Sequence, residues 1–347
     1  MSEQKPTLEW FGATTFRLKA NGVTLFLDSW LERPSPLKSY LSIDQVDECD
    51  YILISHAHFD HLPGTDRLAK KTGAIVIGNG EAITVMREAG VPEAQLIPVA
   101  GGERIPLFTK AQRDEATKAA VTGSTAGPRG PPQPDENDAR LVIHAWPSLH
   151  CLGLPVDHRD IPETIDTATV YEGALSKYSC TLDLTRALTY GFGSLIKAPQ
   201  LPPWMTEDMK SFIGYMKDRE QNRYSFYDGG QILYNILIGK KTLLWNGHLG
   251  GYEGIMRDIE PRPDVAVLGI AGRGNLNGRP FDGSAAEFAV KEVQWLGEPS
   301  KIVWCLHDEG AINPKFIKTE AATEQVEAET KSKVFTLDHG RVWDIFS

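Results

Sequence analysis

The twelve residues Asp50–His61 read DYILISHAHFDH, and the interpretation of the whole chain starts from them. The first half, Asp50–Ser55, is a continuous apolar run of the kind that forms a strand buried on both faces. The second half places three histidines and one aspartate within six residues, directly after that strand. Imidazole and carboxylate groups are costly to bury unless something uses their lone pairs. The stretch therefore predicts a metal site at the end of a core strand.

The spacing within this motif indicates two cation positions. His56 and His58 alternate and can reach one cation, whereas Asp60 and His61 point elsewhere and can serve a second one nearby. Histidine together with carboxylate oxygen suits zinc first, and iron and manganese are the alternatives. A catalytic zinc site has three protein ligands and one water, so a remote histidine has to complete the first position. His150, after a predicted strand, is the natural candidate.

Other residues further along the chain are placed to support this centre. His307 follows the apolar run Lys301–Leu306 and is the candidate to complete the second cation position. Asp28, at the end of an early predicted strand, is expected to orient a ligand histidine rather than to bind metal. Arg273 lies in a glycine-rich turn and is a candidate counter-charge for an anionic substrate. The alternative for this turn is a tight connection before the next helix.

Strands alternating with helices predict an α/β layered fold, and two segments interrupt that rhythm. Residues 112–138 are rich in Gly, Pro, Ala, Thr and charge without apolar periodicity, which predicts an exposed, mobile loop. Residues 164–230 are enriched in aromatic residues and predict a helical cap that lines a pocket, with Trp204 and Tyr224 as substrate contacts and Thr206 as a helix N-cap. The alternative is that these aromatic side chains only fasten the cap to the body.

The composition narrows the classes of function. The formal net charge of −10 argues against non-specific binding to nucleic acid and against binding to anionic membranes. No apolar run is long enough to span a bilayer, and the first residues lack the pattern of a secretory signal. The four cysteines are scattered, without the spacing of a disulfide framework or a cysteine zinc site. We therefore expect a reduced, cytoplasmic protein that acts on a small molecule, with a homo-oligomer left open.

The segment HAHFDH at His56–His61 resembles the hallmark His-x-His-x-Asp-His of the metallo-β-lactamase superfamily. The similarity covers most of the chain, through Leu8–Asp28, Tyr51–His61, Leu141–His150, Thr242–Gly250 and Ile302–His307. The early hairpin and the short strand before the motif resemble most closely the lactonase and phosphodiesterase-like branches, including the phosphorylated-ascorbate lactonases. The resemblance implies one domain over residues 1–347, folded as an αββα sandwich of two mixed sheets with helices outside. It also implies a dinuclear site whose activated water attacks an ester, lactone, amide or phosphodiester.

One position departs from the pattern of that family. The fourth motif usually reads Gly-Asp after an apolar strand, and its carboxylate bridges both metals, but here Gly247 is followed by His248. An imidazole cannot bridge through one atom and brings no negative charge. His248 is therefore expected either to bind one metal or to act beside it as an acid/base group. Asp60 is expected to bind metal and also to orient the nucleophile or protonate a leaving group.

The leading hypothesis from these residues is a metal-dependent hydrolase that uses metal-activated water on a small ester or lactone beneath the aromatic cap. The cofactor is one or two zinc ions, with iron and manganese as alternatives. A phosphodiesterase that uses Arg273 or Arg279 for phosphate is the runner-up among hydrolases. A non-hydrolytic iron-binding protein of the same fold, and a metal-binding scaffold that has lost catalysis at His248, are the alternatives from other classes.

Overall fold

The structure is a computed structural model that describes residues 5–122, 132–152, 188–281, 283–308 and 316–347. Across these ranges two seven-stranded sheets lie face to face and carry helices on their outer sides. Each sheet is mixed, with antiparallel strands at one side and parallel strands at the other. The αββα sandwich expected from the sequence is confirmed.

The first sheet is built mainly from the N-terminal part of the chain. Its strands are β1 (Thr7–Trp10), β2 (Phe16–Ala20), β3 (Val23–Leu27), β4 (Tyr51–Leu53), β5 (Ile75–Gly78), β6 (Leu96–Pro98) and, from the C-terminal end, β17 (Trp343–Asp344), in the order β17-β1-β2-β3-β4-β5-β6. The strands β3 and β4 are parallel, and their register pairs Leu27 with Leu53. Because both strands end at the same edge, Asp28 lies beside the start of the metal-binding motif.

The second sheet is built from the middle and C-terminal parts. Its strands are β7 (Arg104–Leu107), β8 (Leu141–Pro147), β9 (Ile232–Ile238), β10 (Lys241–Asn246), β12 (Val265–Gly269), β15 (Lys301–Cys305) and β16 (Lys333–Phe335), in the order β16-β15-β12-β10-β9-β8-β7. The short strands β11 (Gly250–Gly251), β13 (Asn275–Leu276) and β14 (Arg279–Pro280) form a small third sheet. The parallel strands β10, β12 and β15 deliver their following loops to one edge.

Three apolar layers hold the sandwich together. The central layer lies between the sheets and combines residues of both, such as Leu25 and Leu53 of the first with Trp245 and Val267 of the second. The outer layers lie under the helices that cover each sheet. These helices are α1 (Thr65–Thr72) and α2 (Gly80–Glu88) on the first sheet, and α6 (Glu253–Asp258), α7 (Ala285–Trp295) and α8 (Glu320–Glu329) on the second.

The loop prediction for residues 112–138 is wrong for its first part, because Lys110–Thr122 forms the helix α3. The local sequence explains the helix. Gln112 donates its backbone N–H to the Thr109 hydroxyl, and the Gln112 side chain accepts from the Thr109 backbone N–H at 3.0 Å, which is a reciprocal cap. Ala, Lys, Arg and Glu are strong helix formers that need no apolar stripe. Residues 123–131 of the predicted loop lie outside the described residues.

The described part of the predicted cap, residues 188–230, is helical over about half of its length. It contains a π-helical turn at Leu188–Phe192, followed by α4 (Gly193–Lys197) and α5 (Glu207–Lys217). Thr206 is the N-cap of α5 as expected, since its side chain accepts a hydrogen bond from the backbone N–H of Met209. Residues 164–187 of the predicted cap lie outside the described ranges. Within the described residues, no helix has both the length and the apolar character needed to cross a bilayer.

Candidate metal centre

Five histidine rings meet at one edge of the sandwich, where strands from both sheets end. Three of them, His56, His58 and His61, follow β4, whereas His150 follows β8 and His248 follows β10. Neighbouring ring centroids lie between 3.7 and 5.2 Å apart. All except His150 are nearly or completely buried. The structure thus brings together the three motif histidines and two of the three remote ones.

His56, His58 and His150, the residues predicted for the first cation position, lie together in the structure. Each of these residues offers a ring nitrogen within 4.8 Å of the other two. The rings stand steeply against one another, at 79° for His56 and His58 and at 83° for His56 and His150. His56 Nε2 lies 3.1 Å from His58 Nδ1. Three imidazoles whose nitrogens converge in this way match the donor set of a zinc site that keeps one position open.

The second group of converging nitrogens comes from His56, His61 and His248, again within 4.8 Å of one another. Asp60 lies beside this group, because its Oδ1 atom is 3.5 Å from His61 Nε2. The Asp60 side chain is 27% exposed, so its carboxylate can be reached from solvent. Of the residues predicted for the second cation, Asp60 and His61 therefore lie together, and His248 joins them where His307 was expected.

His307 does not join this centre, so the prediction that it binds the second cation is wrong. Its ring stacks on Trp10 with the centroids 5.0 Å apart, and none of the metal-ligand groups found among the described residues includes it. The backbone before it explains the difference. Leu306 has a φ of 61° and donates its N–H to Ala13 O, which turns the chain away from the strand direction before His307.

Asp28 is placed to orient the ring of His61, as expected from its position at the end of an early strand. Its Oδ2 atom lies 2.7 Å from His61 Nδ1 and also accepts a hydrogen bond from the Thr14 hydroxyl. Its Oδ1 atom accepts from the backbone N–H of Ser55 at 2.9 Å. A carboxylate in this place holds the proton of His61 on Nδ1 and leaves Nε2 with its lone pair facing the cluster.

Several ring nitrogens of the cluster are buried without a hydrogen-bond partner. Within the described residues, His58 Nε2, His61 Nε2 and both nitrogens of His248 are such atoms. Leaving a buried polar atom unpaired costs about 1–3 kcal/mol, so four of them at one place are unfavourable in a purely structural role. A divalent cation would use these lone pairs, and the residues present therefore fit a metal centre.

The electrostatics of the cluster also favour metal binding. Burial, reinforced by the neighbouring imidazoles, holds the pKa values of His56, His58 and His248 well below the usual histidine value. Burial lowers the pKa of His150 as well. At His61, burial acts in the same direction, but the charges of Asp60 and Asp28 outweigh it and the pKa is raised. Four of the five rings are therefore neutral near pH 7, and protons compete little with a metal for them.

Cys151 and Arg273 are two further residues beside the cluster. Cys151, which no sequence pattern predicted, places its Sγ within 4.8 Å of ring nitrogens of His150 and His248. Its only sequence signal is adjacency to His150, and burial raises the pKa of its thiol to about 12. Arg273, predicted as a counter-charge for an anionic substrate, pairs its backbone with Leu152 through two hydrogen bonds, and its role in substrate binding stays a prediction. Its side chain is buried, and its Nη2 has no partner among the described residues.

The aromatic side chains of the cap pack against the motif loop through Phe59. The Phe59 ring lies 5.2 Å from Phe212 and 6.1 Å from Tyr224 in edge-on contacts. Tyr224 is completely buried, and its hydroxyl donates to Met216 O. Trp204, by contrast, is 67% exposed. The structure thus places Tyr224 in the packing between cap and body, and the role of either residue in substrate binding stays a prediction.

Part of the chain is similar in sequence to known proteins. A family model described as a beta-lactamase superfamily domain matches residues 7–117. A UPF0173 metal-dependent hydrolase of Pyrobaculum arsenaticum is 37% identical over 101 residues, which are 29% of this chain and 44% of that protein. A relative from Anaeromyxobacter is 31% identical over 166 residues, which are 46% of this chain and 60% of that one. The chain thus spans less than two thirds of the length of these curated relatives.

Solved structures resemble the chain over nearly its whole length. Igni18, a metallo hydrolase from Ignicoccus hospitalis, superposes with a TM-score of 0.56 at 16% identity and covers 98% of both chains. CmlA, a diiron β-hydroxylase from Streptomyces venezuelae, superposes with a TM-score of 0.51 at 14% identity over 98% of this chain and 54% of its own. At these identities the likeness shows the fold alone. The family model matched over residues 7–117 and the histidine cluster at the sheet edge support a place in the metallo-β-lactamase superfamily.

Proposed function

We propose that the protein is a metal-dependent hydrolase that cleaves a small ester or lactone. The observation that carries this proposal is the cluster of five histidines with unpaired buried nitrogens, flanked by the partly exposed carboxylate of Asp60. Zinc fits this set of imidazole and carboxylate donors, as one or two ions. The metal-dependent hydrolases among the relatives support the same class of activity.

The position of each residue in the cluster suggests its role in metal binding or proton transfer. His56, His58 and His150 would hold the first metal, and His61, Asp60 and His248 would hold a second. When bound, the metal lowers the pKa of a coordinated water and polarises the scissile carbonyl. Asp60 would act as the group that orients the attacking water and carries a proton to the leaving oxygen, since its carboxylate is next to His61 and partly exposed.

The aromatic surroundings favour an apolar acyl or lactone substrate over a highly charged one. Phe59 and the cap residues Phe192 and Phe212 form an aromatic group directly beside the motif loop. Asp60 adds negative charge at the opening, which opposes the approach of an anionic substrate.

One observation favours a phosphodiesterase as the second candidate. Arg273 is 5% exposed, and its Nη2 atom is without a partner in the described part of the chain, next to the segment that follows His150. A guanidinium with a free donor can bind a phosphate oxygen. Substituting Arg273 by Met therefore separates the two candidates: loss of diesterase activity with esterase activity retained would favour phosphate.

The experiment for the proposal is turnover of a γ-lactone, an aryl ester and a phosphodiester by the zinc-loaded protein. We expect hydrolysis of the ester or lactone that disappears when a chelator removes the metal and returns when zinc is added. His58→Ala is the matched variant, since it removes one ligand of the first position, and it should lose zinc and activity together. Full zinc content and activity in His58→Ala would overturn the assignment of the centre, and turnover of the phosphodiester alone would overturn the substrate class.

A further inference from the structure

A buried polar network lies behind the second-sheet side of the metal centre, and it includes a glutamate that the proposed chemistry does not use. Glu292 belongs to α7 and has no exposed surface. Its Oε1 atom accepts a hydrogen bond from Asn246 Nδ2 at 2.7 Å. Asn246 ends β10 and is equally buried, two residues before His248.

The Asn246 side chain connects the two loops that deliver the remote histidines. Its Nδ2 atom also donates to His248 O at 3.1 Å and to Gly250 O at 3.0 Å. Its Oδ1 atom accepts from the Ser148 hydroxyl at 3.0 Å, and that hydroxyl also lies 3.1 Å from Gly250 O. Ser148 precedes His150 by two residues. One amide group therefore links the backbone around His248 to the loop that carries His150.

The two loops also touch directly, which leaves little room for independent movement. A Cβ atom at Gly250 would lie only 2.5 Å from Leu149 O. The position of His150 is further held by Asn275, whose side-chain amide donates to His150 O at 2.8 Å. A small displacement of Asn246 would therefore be passed to both loops, since close-packed interiors transmit strain.

We infer that Glu292 is a positioning residue for the metal centre: by accepting from Asn246 it sets the side-chain orientation that holds the His248 and His150 loops together. This inference rests on the proposed metal binding. Neither ring nitrogen of His248 has a partner within the described residues, so the hydrogen bonds that position this residue are those of its backbone oxygen. Partners behind metal ligands typically contribute 10–100-fold to metal affinity.

A neutral acceptor is sufficient for this role. Burial raises the pKa of Glu292 to about 8, so the side chain is mainly a protonated carboxylic acid near pH 7. Glutamine retains the carbonyl oxygen that faces Asn246 and has nearly the same volume. Leucine has a similar size but no acceptor, and it leaves the Asn246 N–H group without that partner.

The test compares zinc affinity, by competition with a chelator, and the visible spectrum of the cobalt-substituted protein. Glu292→Leu and Ser148→Ala should weaken zinc binding 10–100-fold and change the cobalt spectrum, whereas Glu292→Gln should match the wild type in both. Val293→Ala is the control, because it truncates a buried neighbour on the same helix that lies outside the network.

The outcomes separate this inference from the proposed function. If folded Glu292→Leu and Ser148→Ala bind zinc with unchanged affinity and spectrum, the positioning role is wrong while the metal centre stands. Equal weakening in Val293→Ala would also overturn it, since general destabilisation would then explain the effect. Should Glu292→Leu not fold, Ser148→Ala decides, as it removes the other end of the network. Absence of zinc binding in the wild type would overturn the proposed function, and this inference with it.

Discussion

His61 lies on the first-sheet side of the metal centre and His248 on the second-sheet side, and the two are held in different ways. His61 Nδ1 lies 2.7 Å from the Asp28 carboxylate, which is itself bonded to Thr14 and Ser55. His248 has no bonded ring nitrogen within the described residues, and its backbone oxygen accepts from the Asn246 side chain and from the Gly250 N–H. The ring of His61 is thus oriented by hydrogen bonds before any metal arrives, whereas the ring of His248 is positioned by packing against the neighbouring imidazoles.

This difference predicts how much each side of the centre contributes to metal affinity. A ligand that is already oriented loses less conformational entropy when it binds, so the first-sheet side should provide most of the metal affinity. The second-sheet side can adjust to the number of ions and to the substrate. Substitutions at Asp28, Glu292, His248 and His307 test this division.

The largest effect is expected for Asp28→Ala. It leaves His61, Thr14 and the Ser55 N–H without their buried acceptor, which should lower the free energy of unfolding by about 3–5 kcal/mol. Zinc affinity should fall by roughly 10–100-fold, because the ring of His61 is then free to turn. Asp28→Asn is the matched variant: it preserves the shape, and it should lose less stability than Asp28→Ala. Calorimetry and chelator competition measure both quantities, and wild-type affinity in Asp28→Ala would contradict the division.

A smaller effect, on the other side, concerns the pH dependence of stability at Glu292. Its pKa in the folded protein is raised to about 8 from an ordinary value of 4.5. The folded state therefore retains a proton that the unfolded state has lost, and stability falls as the pH rises from 4.5 towards 8. Glu292→Gln removes this titration, so its stability relative to the wild type should be about 2–4 kcal/mol more favourable at pH 8 than at pH 5. Denaturant unfolding at the two pH values would show a constant difference if the carboxyl group ionised normally.

His248→Asp should produce a moderate change confined to the second cation position. If His248 is a ligand, the carboxylate supplies the negative charge that helps to hold two dications together, and occupancy of the second position should be kept or increased. If His248 instead acts as an acid/base group, the metal content should stay constant while the pH–rate profile shifts. Metal analysis and a pH profile distinguish the two roles, and no change in either would place His248 outside the site. His248→Ala is the control that removes both functions.

The sequence predicted the fold and the core of the centre because short-range patterns encode them. The apolar run before Ser55 forms the strand β4, and the histidines of the motif after it lie together, as expected. Residues whose role depends on a third element were not predictable. The link from Glu292 to Asn246 spans 46 positions, and no local pattern marks it. The helix α3 had a local signal in Thr109 and Gln112, but its low apolar content hid it.

His307 shows the limit of assignment by position, and the smallest effect is expected there. It follows a strand that ends at the correct edge, yet the left-handed backbone of Leu306 carries its ring onto Trp10 instead of into the cluster. His307→Ala should therefore leave zinc content and the cobalt spectrum unchanged, and it should lower the free energy of unfolding by only about 1 kcal/mol, through the lost ring contact. His61→Ala is the matched substitution, since it removes an imidazole of the same size from within the centre and should lower zinc binding. Loss of zinc in His307→Ala equal to that in His61→Ala would show that the Leu306 turn rearranges when metal binds, and that both sheets contribute equally to the second position.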